Sequence, residues 1–252
     1  MLRLTDADKN LNGWRTNSMY SFSEAARLAG VSVTTVKNWL FGYAIEGREV
    51  PPLFPSNNND MVSFLQLMEI MVAGRFRKNV LGKPVPFNKV REAYVNARES
   101  WGLEYPFAHL KLEALGGHIV HFLREGEVVE SDQALVATEP LLKEGGAVES
   151  YQALDASEQW TLPGLLKSET TDQIEYQDEL AARWFPIGKT VPIVVDPRVS
   201  TGLPIVEGRG VTVRAIHKRF KSGLRIDFIA KDFDLNPDLV ETALQYWERV
   251  AA

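Results

Sequence analysis

Residues 20–40 read YSFSEAARLAGVSVTTVKNWL, and the fold of the amino-terminal part of the chain turns on this stretch. Ser21 with Glu24 three residues on forms a capping box, the signature of a helix start. Ala25, Ala26, Leu28 and Ala29 then follow a helical period, and Gly30 ends the helix. Ser32 is a fitting N-cap for a second helix from Val33 to Leu40, with Val36, Trp39 and Leu40 inward and Thr34, Thr35, Lys37 and Asn38 outward. Two helices joined by a short turn containing Gly make a helix–turn–helix. The outward residues, none of them acidic, are of the types that contact phosphates and base edges. The plainer alternative is an ordinary helical hairpin.

Outward from this stretch, residues 41–60 (FGYAIEGREVPPLFPSNNND) have the composition of a small wing or hairpin loop. A second helical pair follows. Met61–Phe76 carries Phe64, Leu65, Leu67, Met68, Met71 and Val72 at helical spacing, and Asn88–Trp101 carries Val90, Ala93, Tyr94 and Ala97. The short apolar runs of GGHIVHFLREGEVVES predict strands of a small mixed sheet, and Gln177–Trp184 predicts a short helix. After a strand-and-turn region from Pro192 to Val213, helices are expected at about Val213–Ser222, Ile226–Phe233 and Pro237–Val250. Asn236 serves as the N-cap of the last, whose inward stripe is Leu239, Val240, Ala243, Leu244 and Trp247. The expected fold is α+β and mostly helical, in three parts. Residues 1–105 form a winged helix–turn–helix domain, 106–189 an acidic mixed α/β domain, and 190–252 a helical, helix–turn–helix-like domain.

The 252 residues contain no cysteine, which excludes disulfides, thiolate metal sites, iron–sulfur clusters and a cysteine nucleophile. Residues 1–19 lack an apolar core of signal-peptide length and no stretch reaches membrane-span length, so a cytoplasmic protein is expected. The net charge of −5 argues against a nucleic-acid partner until it is divided: residues 1–105 carry +3, 106–189 carry −9 and 190–252 carry +1. Two windows are basic without an acid. One holds Arg75, Arg77, Lys78, Lys83, Lys89 and Arg91; the other holds Arg209, Arg214, Lys218, Arg219, Lys221 and Arg225.

Several enzyme-like signals fail on inspection. Gly188-Lys189-Thr190 lacks the upstream glycine of a phosphate-binding loop, position 183 being Arg, and a strand rather than a helix is expected after it. His118 and His121 point to opposite sides of the expected strand, which prevents joint metal ligation, while His109 and His217 are isolated. There is no Gly-x-Ser-x-Gly elbow. A non-enzyme without metal or cofactor is expected.

The amino-terminal order, helix–turn–helix, then a wing region ending near LFPSNNND, then a helix pair, resembles the MerR-type winged-helix readers. The carboxy-terminal stretch resembles the short domain that ends VapB-like antitoxins. It does so through Asp196-Pro197-Arg198, Gly202-Leu203-Pro204, Gly208-Arg209-Gly210-Val211 and the run from Gly223 to Phe233. As a whole the chain is similar to the larger VapB-type antitoxins that accompany PIN-like ribonuclease toxins. That resemblance implies a dimer that represses its own operon and neutralises a toxin encoded beside it.

On this reading Thr34, Thr35, Lys37 and Asn38 enter the major groove of operator DNA, and Arg75, Arg77 and Lys78 bind phosphates. Arg209, Arg214, Lys218, Arg219, Lys221 and Arg225 are candidates for toxin or DNA binding, and either that window or the acidic middle could face the toxin. Two alternatives stay open: a stand-alone MerR-like regulator sensing a small molecule through residues 106–189, and an adaptor whose helices pack against protein.

Overall fold

A computed structural model describes residues 13–54, 56, 60–78, 86–110 and 172–251. The architecture is α+β: helices joined by short antiparallel strand pairs. Strand β1 (Ser18–Ser21) runs directly into helix α1 (Phe22–Ala29). The capping box is formed, Glu24 N donating to Ser21 Oγ at 3.3 Å and Ser21 N donating to Glu24 Oε2 at 3.1 Å. Gly30 closes α1 in the left-handed region at φ 65°. Helix α2 (Val33–Phe41) starts at Ser32, whose Oγ accepts from Thr35 N at 3.0 Å. Strands β2 (Tyr43–Ile45) and β3 (Arg48–Val50) then pair antiparallel, with Ile45 opposite Arg48. Glu46 and Gly47 both have positive φ at the turn, as a two-residue hairpin of matching twist requires.

Residues Met61–Ser63 correct the sequence reading. They form strand β4, paired antiparallel with β1 (Tyr20 opposite Val62), rather than the first turn of a helix. The ladder takes up their backbone groups, and a second capping box defers the helix: Gln66 N donates to Ser63 Oγ at 3.3 Å and Ser63 N to Gln66 Oε1 at 3.0 Å. Helix α3 therefore spans Phe64–Lys78, and α4 spans Phe87–Trp101. The expected helix at Gln177–Trp184 is likewise a hairpin, β5 (Ile174–Gln177) with β6 (Leu180–Trp184), turning at Asp178 and Glu179, both at positive φ. Helical propensity in Glu-Leu-Ala-Ala-Arg-Trp loses here to burial: Ile174, Ala181 and Trp184 are laid against the first core.

That core joins Tyr20, Trp39, Leu40, Phe54, Met68, Phe76 and Tyr94 to Phe107 and Ala108 as well as to the β5–β6 hairpin. Strands β7 (Ile193–Val194) and β8 (Ile205–Val206) pair antiparallel. They lead into α5 (Val213–Lys221), α6 (Ile226–Phe233) and α7 (Pro237–Ala251) around a second core of Val213, Ile216, Ile229, Val240, Ala243 and Tyr246. Thr212 caps α5, and Asn236 Oδ1 accepts from Asp238 N at 3.0 Å at the start of α7. The run GGHIVHFLREGEVVES, with His118 and His121, lies outside the described residues.

The two cores are clasped together. Tyr20 Oη donates to Gly202 O at 3.0 Å, the Arg27 guanidinium lies 4.8 Å from the Trp247 ring centroid, and Arg214 on the first turn of α5 reaches Glu24 at 4.0 Å. Among the described residues no helix is long and apolar enough to cross a membrane.

Candidate nucleic-acid interface

Helix α2 buries Val36, Trp39 and Leu40, which fixes the direction of the rest of its surface. Thr34 and Lys37 are exposed, whereas Thr35 and Asn38 are half-buried at the edge of a concavity. The Thr35 hydroxyl is 2.8 Å from Ser32 Oγ, so it shares in the helix cap. Lys37 projects past the Phe22 ring, its Nζ 5.6 Å from the centroid. Gly42 permits the next step, because at φ 78° it brings β2 so close to β3 that a Cβ would sit 2.5 Å from Val50 O. The wing therefore leaves the end of α2 at once and carries Tyr43 back beside Asn38.

The concavity holds about 120 Å³ and is lined by Thr35, Asn38, Trp39, Tyr43, Arg77 and Phe87. Its floor is a stacked pair, Trp39 and Phe87, with centroids 5.3 Å apart and planes 5° from parallel. The Arg77 guanidinium rests on the same Phe87 ring at 5.7 Å, and Arg91 rests on it at 5.4 Å. Arg91 also donates through Nη2 to Pro51 O at 2.9 Å and through Nη1 to Pro52 O at 3.1 Å, tying the chain after the wing to α4. No lining residue is acidic, so the site offers an amide, hydroxyls and a guanidinium held on an aromatic platform. These groups can bind a polyanion, and the amide can read a base edge.

Three of the seven amino-terminal candidates, Thr35, Asn38 and Arg77, thus share one concavity, with Thr34 and Lys37 exposed on the same helix. Arg75 is not among them. Two residues along a helix turn the side chain by about 200°, and Arg75 donates to Gln173 Oε1 at 2.8 Å beside the β5–β6 hairpin. The Lys78 side chain lies outside the described residues. Sequence reading missed Tyr43 and Phe87, and placed Arg91 in the first basic window without giving it a role at this site. Tyr43 could have been found as the first wing residue after α2, but nothing local announces the stacking of Phe87 on Trp39.

The carboxy-terminal window is acid-free only along the chain. Folding brings Asp234 to Arg209 at 2.7 Å, Glu24 to Arg214 at 4.0 Å, Asp232 to Arg219 at 2.8 Å and Asp227 to Arg225 at 3.4 Å, while Lys218 and Lys221 remain exposed. The exposed positions of α7 include Asp238, Glu241 and Glu248, so its outer face is poorly matched to phosphate. His217 stacks on Trp247 with centroids 5.0 Å apart, and His109 is buried with Nε2 3.7 Å from Glu179.

The Asp-Pro-Arg element is a structural latch. Asp196 accepts from Arg198 N, Nε and Nη2 at 3.0, 2.9 and 2.8 Å, and Arg183 Nε lies 3.5 Å away. Burial raises the Asp196 pKa, but the bonds from Arg198 outweigh it and hold the carboxyl below its ordinary range. Arg183 also binds Glu175 at 2.9 Å and makes a close pair with Glu207.

An α+β chain with two adjoining helices, a wing and a carboxy-terminal three-helix unit is the class these elements define. Residues 193–247 match a family described as a protein of unknown function, DUF433. Over nearly its whole length the chain is similar to two proteins of Mycobacterium tuberculosis. One is the uncharacterized protein Rv2308, 24% identical over 246 residues, covering 96% of this chain and 95% of that one. The other is the candidate antitoxin VapB45, 22% identical over 238 residues, covering 90% and 92%. The crystal structure of Rv2018 from the same organism superposes with a TM-score of 0.62 at 21% identity, covering 91% of this chain and 99% of that one, and so shares the fold.

Proposed function

We propose that this chain is the antitoxin of a toxin–antitoxin pair, a cytoplasmic homodimer that represses its own operon and neutralises a PIN-like ribonuclease, with no catalytic role of its own. The observation that carries the DNA-binding half is the gathering of Thr35, Asn38, Tyr43 and Arg77 around one acid-free concavity at the outer edge of α2. Asn38 can bond an adenine edge bidentately and Lys37 can address guanine, while Arg77, steadied on Phe87, binds phosphate. Similarity to the candidate antitoxin VapB45 along almost the full chain supports the toxin-binding half. A two-fold dimer would set two such helices on half-sites about one helical turn, or a multiple of it, apart.

The test is retardation of DNA from upstream of the chain's own reading frame against scrambled DNA of equal length, with co-expression of the adjoining frame in parallel. Preferential retardation that weakens steeply with salt, and co-elution of the adjoining protein, are expected. Equal affinity for both DNAs, or elution of the chain alone, contradicts the respective half.

A second reading, regulation by a small molecule, is favoured by one observation. A groove of about 480 Å³ lies between α7 and the turn after β6, lined by Gln173, Pro186, Ile187, Thr242, Gln245, Tyr246 and Arg249. Ligand-dependent change in DNA retardation, abolished in Arg249→Ala, distinguishes that reading.

A further inference from the structure

The corner between α5 and α6 exposes three large apolar side chains within nine residues: Phe220 at 43%, Leu224 at 38% and Phe228 at 61% of their full exposure. The chain turns tightly there, with Gly223 N donating to Phe220 O at 2.9 Å, Leu224 N to Arg219 O at 3.3 Å and Phe228 N to Arg225 O at 3.1 Å. The inward faces of these helices are already served, since α5 buries Val213 and Ile216 and α6 buries Ile229 and Ala230. The three side chains are therefore surplus to the core. Scattered single apolar residues on a surface need no explanation, but a group of them rimmed by charge marks a protein contact.

The rim tells which protein. Lys218, Lys221 and Lys231 are exposed and have no ion-pair partner among the described residues, and Arg225 shares the corner with Asp227. Arg219 and Asp232 neutralise each other at 2.8 Å. Four cations against one anion would repel a second copy of the same corner, as an isologous contact sets like charge on like charge. Nucleic acid would set phosphates against three apolar side chains. An acidic surface with an apolar centre satisfies both features. The corner is also free to be used, because α5 docks on α1 by its first turn, through Arg214 and Glu24, and so its last turn is at the far end from that contact.

We propose that the Phe220–Leu224–Phe228 corner is the docking surface for the toxin, engaged as an acidic protein surface with an apolar centre; this rests on the antitoxin reading given above. Phe228 is the anchor and the lysines steer association.

The experiment measures the affinity of the purified chain for the product of the adjoining reading frame, with wild type, Phe228→Asp, Phe220→Ser and Phe228→Leu, each checked by thermal melting and by retardation of upstream DNA. All these side chains are exposed, so the melts should coincide. A loss of tenfold or more in Phe228→Asp and Phe220→Ser, near wild-type affinity in Phe228→Leu, and unchanged retardation are expected, as is further weakening in Lys218→Glu/Lys221→Glu at low salt. If the wild type binds and Phe228→Asp binds as tightly, the corner is not the surface while the antitoxin reading stands. If Phe228→Asp instead loses DNA or changes the oligomeric state, the corner serves DNA or a second copy and the proposal is overturned. If the wild type itself fails to bind, the antitoxin reading falls and the docking surface with it.

Discussion

Replacing Gly202 with alanine probes the clasp between the two cores. Gly202 sits at φ 71°, where its own carbonyl accepts the Tyr20 hydroxyl at 3.0 Å. A Cβ there would overlap Tyr20 Oη and lie 2.7 Å from Tyr20 Cζ and 2.8 Å from Met19 Sδ. The left-handed conformation alone costs a non-glycine residue about 1–2 kcal/mol. Pushing Tyr20 aside leaves a buried hydroxyl and a carbonyl unpaired, for about 1–3 kcal/mol more. The total of about 2–5 kcal/mol corresponds to a fall in Tm of about 5–15 °C in a chain of this size. Thermal unfolding followed by circular dichroism reads it. Because Tyr20→Phe removes the overlapping oxygen, Gly202→Ala should cost about 1 kcal/mol less in that background than in the wild type, a coupling a double-mutant cycle isolates. A Gly202→Ala protein within about 0.5 kcal/mol of wild type, or one equally destabilised in both backgrounds, would show that the Tyr20–Gly202 contact does not hold the two cores together.

Two further substitutions test the packing around α3. Glu69 is buried, accepts from Tyr94 Oη at 3.3 Å, and burial holds its carboxyl well above the ordinary 4.5. The folded state therefore keeps a proton that the unfolded chain releases, so stability falls as pH rises from about 4.5 toward the raised value; urea unfolding at several pH values should show that decline in the wild type and its loss in Glu69→Gln. Ser63→Ala removes half of the capping box with Gln66 and should cost about 1 kcal/mol in the same assay; an unchanged midpoint would contradict that assignment.

What the sequence disclosed was what short-range chemistry controls. Ser21 with Glu24, Ser32, Gly30 and Asn236 act within four residues of themselves, and each does in the structure what its spacing predicts. The Ser63–Gln66 box was equally legible and corrects the start of α3. The β5–β6 hairpin was not, because it turns on Asp178 and Glu179, which carry none of the usual Gly or Asn signal, and because most of the core that buries it, from Tyr20 to Ala108, lies more than sixty positions away. Charge misled for the same reason. A basic window counts neighbours along the chain, while Arg75 meets Gln173 and Arg219 meets Asp232 across folded space. The aromatic floor of the concavity, Trp39 on Phe87, needs α2 and α4 to be placed first.

Fluorescence anisotropy of upstream DNA and its single-base variants, across salt, with wild type, Asn38→Ala and Arg77→Ala, tests whether the concavity beside α2 reads DNA. If the concavity reads DNA, Asn38→Ala should lose about 1–3 kcal/mol of discrimination at one base position while keeping its salt slope. Arg77→Ala should weaken all sequences alike and reduce the salt slope by about 1. Both variants binding every sequence as the wild type does, with the same salt slope, would exclude the concavity as a DNA-reading site.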